Sequence, residues 1–313
     1  MTRLSRFALA ALPFFAACAA PACEVRRGPG YDDLWLQGRW LLREVWDPTP
    51  RGTPPLVRYH DEIVLPGSAV FVTRGEGPGL YPHHRGVFLG WNRVHHDGRD
   101  TDFWHLRDGA RIVRQANGVA CERGGAARTT SLSWIDGTGR TVLREARRTL
   151  ALPEGPDVLV LDYDIALTAV DGDIDLDGDA QHAGFQFRAA DEVAASPADT
   201  VTVLAAGAAA VASVPEGVRG AVIADARWVA QRYTIAGRRC TVLHCDHPDN
   251  ARPTVYGVRP YGRFGAFPRV HLAAGETVRL RYRITVLAVD DADPRVAPAA
   301  LEQRWRDFGS TSP

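Results

Sequence analysis

The stretch TVRLRYRITVLAV, residues 277–289, alternates with a period of two. Val278, Leu280, Tyr282, Ile284 and Val286 fall on one side of an extended chain, and Arg279, Arg281 and Arg283 fall on the other. A helix cannot separate them this way, whereas a half-buried antiparallel strand does. VLVLDYDIALTAV, residues 158–170, repeats the pattern with Leu159, Leu161, Tyr163, Ile165 and Leu167 on one face. RTVLREARRTLAL (140–152) and ARWVAQRYTIAG (226–237) alternate less cleanly. Turn-forming clusters punctuate these runs: DGTGR, LPEGPD, DGDIDLDGD and HPDNARP. The tail APAALEQRWRDFG (297–309) reads as a helix, with Ala299, Leu301, Trp305 and Phe308 near one stripe and Gly309 as a stop. The expected fold is therefore all-β, with one body from about residue 24 to 313 and a short C-terminal helix.

Bulk properties narrow the partners. The 313 residues carry 37 basic and 37 acidic side chains, so no positive surplus exists to neutralise a phosphate backbone, and nucleic acid is not an expected partner. Residues 1–23 read as a signal peptide: the basic MTRLSR, the apolar FALAALPFFAACAA, then small residues. Cleavage after Ala20-Pro21-Ala22 would start the chain at Cys23, while a loose lipobox at FAAC would instead place a lipid anchor on Cys18. No later run reaches the ~20 apolar residues of a membrane span. The expected location is exported, either periplasmic or tethered by lipid. Cys121, Cys240, Cys245 and Cys23 leave disulfide pairing open.

The chemistry is expected around two histidine-bearing strands. In PHHRGVFLGWNRV (82–94), a strand begun at His84 puts His84, Gly86, Phe88, Gly90 and Asn92 on one face, with Val87, Leu89 and Trp91 facing the core. In QHAGFQFRAA (181–190), His182, Gly184, Gln186 and Arg188 oppose Ala183, Phe185 and Phe187. Glycine within a strand marks close approach by a ligand or another backbone. The two His-x-Gly faces suggest one sheet with a groove carrying imidazoles. DFWHL (102–106) adds Asp102, Trp104 and His105, and HPDNAR adds His247, Asn250 and Arg252, although Asp and Asn there also brace tight turns. The acidic DGDIDLDGD lacks EF-hand spacing and reads as a solvated turn.

Taken in order, PHHRGVFLGWNRV…DFWHL, QHAGFQFRAA, DHPDNARPTVYGVRPYGRFGAFP and RYRITVLAVDDADPRVAPAALEQRWRDF resemble the PmoA-like family of exported bacterial proteins, over most of the chain. The second motif keeps His182 and Arg188, and the third lacks the family's second proline. The family name implies a methane-oxidising membrane subunit, and the absence of later apolar spans argues against that chemistry here. The resemblance implies a galactose-mutarotase-like β-supersandwich that handles sugars with histidines and carboxylates on a concave sheet.

The expected function is acid–base chemistry on a sugar or oxidised glycoside: elimination, hydrolysis or epimerisation. His84 and His182 would serve as acid and base, and Asp102 would orient a histidine or act as a second base. His83, Arg85, Trp104, Arg188, His247, Asn250 and Arg252 would bind substrate. A non-catalytic sugar-binding lipoprotein would use the same groove. No metal is assigned; a divalent ion would need His83 or His84 together with His182 and His247. The register places His84 at an exposed groove and His83 toward the core side or the preceding loop, so His84→Ala is expected to spare stability and His83→Ala to reduce it.

Overall fold

The computed structural model describes residues 23–47, 59–75, 77–179, 181–205, 210–213 (backbone only) and 221–311. Residues 1–22 of the expected signal peptide, Cys18 among them, lie outside the described residues, as does part of the Ala-rich stretch between residues 203 and 221; Cys23, expected as the last residue of that peptide, belongs instead to the fold.

Antiparallel pairing forms three sheets among the described residues. The largest has ten strands, in the spatial order Cys23–Gly28, Tyr31–Leu36, Arg39–Val45, His60–Ile63, Val87–Trp91, Ala183–Arg188, Arg263–Pro268, Thr254–Arg259, Ala221–Ala224 and Ala210–Ser213. A second has eight: Val201–Leu204, Trp228–Ile235, Arg238–Asp246, Thr277–Leu287, Val158–Ala169, Thr141–Pro153, Gly125–Ile135 and Arg111–Glu122. A four-stranded sheet runs Val270–Leu272, Ile174–Leu176, Val94–His96, Arg99–Thr101. The architecture is an all-β antiparallel sandwich with a short C-terminal helix.

The two alternating stretches are neighbours. Tyr163 lies opposite Tyr282, Leu161 opposite Ile284 and Ile165 opposite Leu280. Their apolar faces meet the ten-stranded sheet: Phe185 stacks on Tyr282 with ring centroids 4.6 Å apart and lies 4.8 Å from Tyr163. This contact sits in one apolar cluster fed by both large sheets, and each fully buried side chain of this size contributes roughly 1.5–3 kcal/mol. On the other face, Arg283 forks onto the carboxylate of Asp162 directly across the ladder.

The C-terminal helix, Pro298–Gly309, covers part of that other face. Leu301 and Phe308 are buried against Trp228, Ala230, Leu243 and Cys245, and Trp305 packs beside them. Ala299 is exposed rather than part of the stripe. A disulfide joins Cys23 to Cys121, linking the edge strand of the ten-stranded sheet to the edge strand of the eight-stranded one. Cys240 and Cys245 are buried free thiols.

Candidate functional site

The two histidine-bearing strands are immediate neighbours in the ten-stranded sheet. Gly184 faces Gly90, Phe185 faces Leu89 and Gln186 faces Phe88. Val87, Leu89, Trp91, Ala183, Phe185 and Phe187 all enter the core. Their alternates, among them Phe88, Gln186 and Arg188, therefore occupy the outer face.

The strand does not begin at His84. It begins at Val87, because the preceding residues form a turn: the His84 amide donates to the Tyr81 carbonyl at 2.9 Å, and Gly86 sits at φ +56°. Strand alternation thus does not apply to His83 and His84. Their rings lie 4.1 Å apart, so His83 belongs to the cluster and does not turn to the core. His84 is only 3% exposed. Its Nε2 accepts the Trp104 indole N–H at 3.2 Å, and its ring stacks 6.0 Å from Phe88. The expectation of an exposed His84 fails because the indole of a packed loop covers it.

That loop explains the glycines. A Cβ on Gly90 would stand 2.8 Å from the Phe103 carbonyl, one on Gly86 would stand 2.2 Å from the Asp61 carbonyl, and one on Gly184 would stand 2.2 Å from the Ala266 carbonyl. These positions admit neighbouring backbone, not a ligand. Gly90 lets the Phe103–Trp104 backbone settle on the strand, which places Trp104 between His84 (5.5 Å) and His182 (5.7 Å).

Two carboxylate–imidazole pairs border this indole. Asp102 accepts from His105 Nδ1 at 2.8 Å, and its other oxygen caps the Trp104 and His105 amides at 2.9 and 2.8 Å. Asp179 accepts from His182 Nδ1 at 2.9 and 3.0 Å, from the Gln181 amide at 2.7 Å and from Asn92 Nδ2 at 2.8 Å. Burial disfavours both anions, but these donors, led by the histidine side chains, hold Asp102 and Asp179 below the usual carboxylate range. A carboxylate only accepts, so each imidazole donates through Nδ1 and keeps Nε2 for a ligand. The His105 and His182 rings are 5.0 Å apart, and His83 lies 4.9 Å from His105. His105 and His182 are half-buried, which leaves both within reach of a solute.

Asp102 thus orients His105, a member of the DFWHL cluster with no expected acid, base or binding role, and Asp179 ends the acidic DGDIDLDGD, for which a solvated turn is expected. A signal for both was present: Asp102-Phe-Trp-His105 and Asp179-Ala-Gln-His182 share the spacing Asp-x-x-His.

Other expected residues have different surroundings. Trp104 is fully buried, with its ring packed against His84, Phe88 and His182. Arg85 is buried and bonds the Pro82 carbonyl at 3.0 Å. Arg188 bonds the Ala189 and Tyr261 carbonyls at 2.8 and 2.6 Å. His247, Asn250 and Arg252 lie in a junction with the Thr277–Leu287 strand and the C-terminal helix. His247 Nε2 accepts from Arg281 at 2.7 Å and its ring meets Phe308 at 4.9 Å. Asn250 Nδ2 donates to Asp246 at 2.6 Å and to the Arg281 carbonyl at 2.8 Å, and Arg252 pairs with Asp246 at 2.7 Å. These three residues brace a turn, and the bond from Arg281 occupies the Nε2 that a metal set including His247 would use. Among the described residues no group of three or more His, Cys, Asp or Glu is arranged to hold a metal ion, and no helix is long and apolar enough to cross a membrane.

A family model described as "Family of unknown function (DUF6807)" matches residues 64–302. No curated protein matches the chain. One similar solved structure, a heparinase III gene product with methylated lysines, aligns at 12% identity and a TM-score of 0.22, over 84% of this chain and 30% of its own. The chain therefore spans well under half the length of that protein.

Proposed function

Since the chain belongs to the DUF6807 family, whose function is unknown, we propose from its own geometry that it performs acid–base chemistry on a carbohydrate. The observation that carries this reading is the pair of aspartate-held imidazoles, His105 and His182, with rings 5.0 Å apart. In such a pair one neutral Nε2 takes a proton from the substrate while the other, protonated, gives one. Each aspartate fixes its ring and stabilises the imidazolium formed when that ring accepts a proton. Elimination, hydrolysis and epimerisation all draw on this exchange.

His84 acts as a prop in this scheme. It takes the Trp104 N–H, and Trp104 in turn stands against His182. His83 extends the imidazole row to His105. The resemblance to exported PmoA-like proteins supports a sugar as the substrate class. The basic and apolar N-terminal segment and the Cys23–Cys121 disulfide support export, because such bonds persist in oxidising compartments.

Turnover of a panel of neutral and oxidised oligosaccharides tests the proposal. His105→Gln and His182→Gln should each lose about 100-fold or more in kcat while remaining folded. Undiminished turnover in both folded variants, or no turnover of any panel member by the wild type, would overturn it.

A further inference from the structure

Three arginines stand in one row across three adjacent strands. Arg188 lies directly opposite Arg263, and Arg263 directly opposite Arg259. Phe187, Phe264 and Val258, each one residue away, enter the core, so the arginines share the outer face, which also carries the histidines. None of the three is more than 1% exposed.

Such a row is unfavourable by itself. Like charges in cross-strand register repel, and a buried guanidinium needs a counter-charge. The counter-charge here is incomplete. Arg188 reaches Asp191 at 3.3 Å, a carboxylate already held by Arg74 at 2.7 Å. Among the described residues, Arg259 bonds the Ala221 and Val258 carbonyls, and Arg263 bonds the Tyr261 hydroxyl and Gln186 Oε1. Arg188 Nε and Arg259 Nε and Nη2 are buried without a hydrogen-bond partner among the described residues. Burial, together with neighbouring guanidiniums, lowers Arg188 and Arg259 to about 10, which still leaves both cationic at neutral pH. The result is a surplus of positive charge with buried, unpaired N–H donors among the described residues.

The row adjoins the imidazole pair. The Arg263 guanidinium lies 5.7 Å over the Trp104 ring, and Trp104 touches His182. Tyr261, beside Arg188 at 5.1 Å, meets the half-buried ring of Tyr81 at 5.2 Å and links the row toward solvent.

We propose that the row Arg188, Arg263, Arg259 binds the carboxylate of an acidic sugar whose ring lies at His105 and His182, an assignment that rests on the acid–base reading above. Guanidinium forks match a planar carboxylate through paired N–H donors. A carboxylate there supplies the missing negative charge and fills the open donors in one step.

The test uses the full chain and four probes: D-glucuronate, alone and in a disaccharide, D-glucose, sulfate and phosphate. Calorimetry and thermal melting are read for the wild type, Arg259→Met, Arg263→Met and His105→Gln. Glucuronate, in at least one form, should bind and raise the melting temperature; glucose should do neither, and sulfate and phosphate should bind more weakly. Arg259→Met and Arg263→Met should weaken glucuronate binding at least tenfold. Ligand-free Arg259→Met should melt no lower than the wild type, because its repulsion is gone; an arginine with a purely structural role would melt lower. His105→Gln should weaken glucuronate binding less than either arginine variant, and an equal or greater loss there would overturn the arginine assignment. Binding that persists without turnover of any sugar removes the acid–base reading and leaves the anion site standing. Absence of glucuronate binding in both forms, equal binding of glucose, tighter binding of sulfate or phosphate, or undiminished binding in the folded arginine variants overturns the proposal.

Discussion

At the scale of the residue, burial reverses the order expected for the adjacent histidines. His84 is 3% exposed, bonded to an indole and stacked on Phe88, whereas His83 is half-buried. His84→Ala should therefore cost about 2–4 kcal/mol in denaturant unfolding, since it removes a packed ring and the acceptor of the Trp104 indole N–H. His83→Ala should cost less than about 1 kcal/mol. Equal midpoints for the two variants would contradict this packing. Asp102 separates two duties in the same way. Asp102→Asn keeps the oxygen that caps the Trp104 and His105 amides but loses the charge behind His105. It should stay near wild-type stability and lose about tenfold or more in turnover. Asp102→Ala should lose that turnover and a further ~1 kcal/mol of stability from the uncapped amides.

At the scale of the element, the Val87–Trp91 strand and the Phe103–Trp104 turn meet only because position 90 has no side chain. Gly90→Ala places its Cβ 2.8 Å from the Phe103 carbonyl, so the turn must lift. The expected cost is about 1–3 kcal/mol, with loss of turnover as Trp104 leaves His182. If Gly90 instead cleared a path for ligand, the variant would keep its stability and lose only binding; the thermal midpoint separates the two. The disulfide acts on element edges. It closes a sequence separation of 98 residues between the outermost strands of the two large sheets. Cys23→Ser with Cys121→Ser should lower stability by roughly 2–5 kcal/mol with turnover retained, measured by urea unfolding against the oxidised wild type.

At the scale of the whole molecule, acid stability depends on an imidazole in the core. His244 is fully buried between the sheets, accepting from the Tyr256 hydroxyl at 3.1 Å and donating to the Phe185 carbonyl at 3.2 Å. Burial pushes it down to about 3, against 6.5 for a free imidazole. As pH falls below 6.5 the unfolded chain takes a proton that the folded chain refuses, so the contribution of His244 to stability falls with pH across this window. At ~1.4 kcal/mol per pH unit the loss is on the order of 3 kcal/mol by pH 4. Buried His96 and His247 are also lowered and add to it, whereas Asp246, raised to about 6 by burial, opposes it. His244→Gln keeps a donor for Phe185 and should raise the unfolding free energy at pH 4 relative to that at pH 6.5 by about 3 kcal/mol compared with the wild type, since the opposing shift of Asp246 remains. An unchanged pH dependence would remove His244 as its source.

What the sequence alone determined was whatever depends on periodicity. Alternation in residues 158–170 and 277–289 marked two strands and the faces they bury, and the Leu301–Phe308 spacing marked the helix. It also marked Val87, Leu89 and Trp91, and Ala183, Phe185 and Phe187, as core residues, which placed the opposite face of the two histidine strands. Periodicity ends where the strand ends, so it misplaced His83 and His84, which stand in a turn. Only the tertiary structure decided which side chains meet. His105 and His182 are 77 positions apart, and Arg188 and Arg263 are 75 apart; strand order and register bring each pair together. The alternation of a strand is a local pattern, since successive side chains point to opposite faces. The site answers to contacts made across the sheet, and no local pattern contains them.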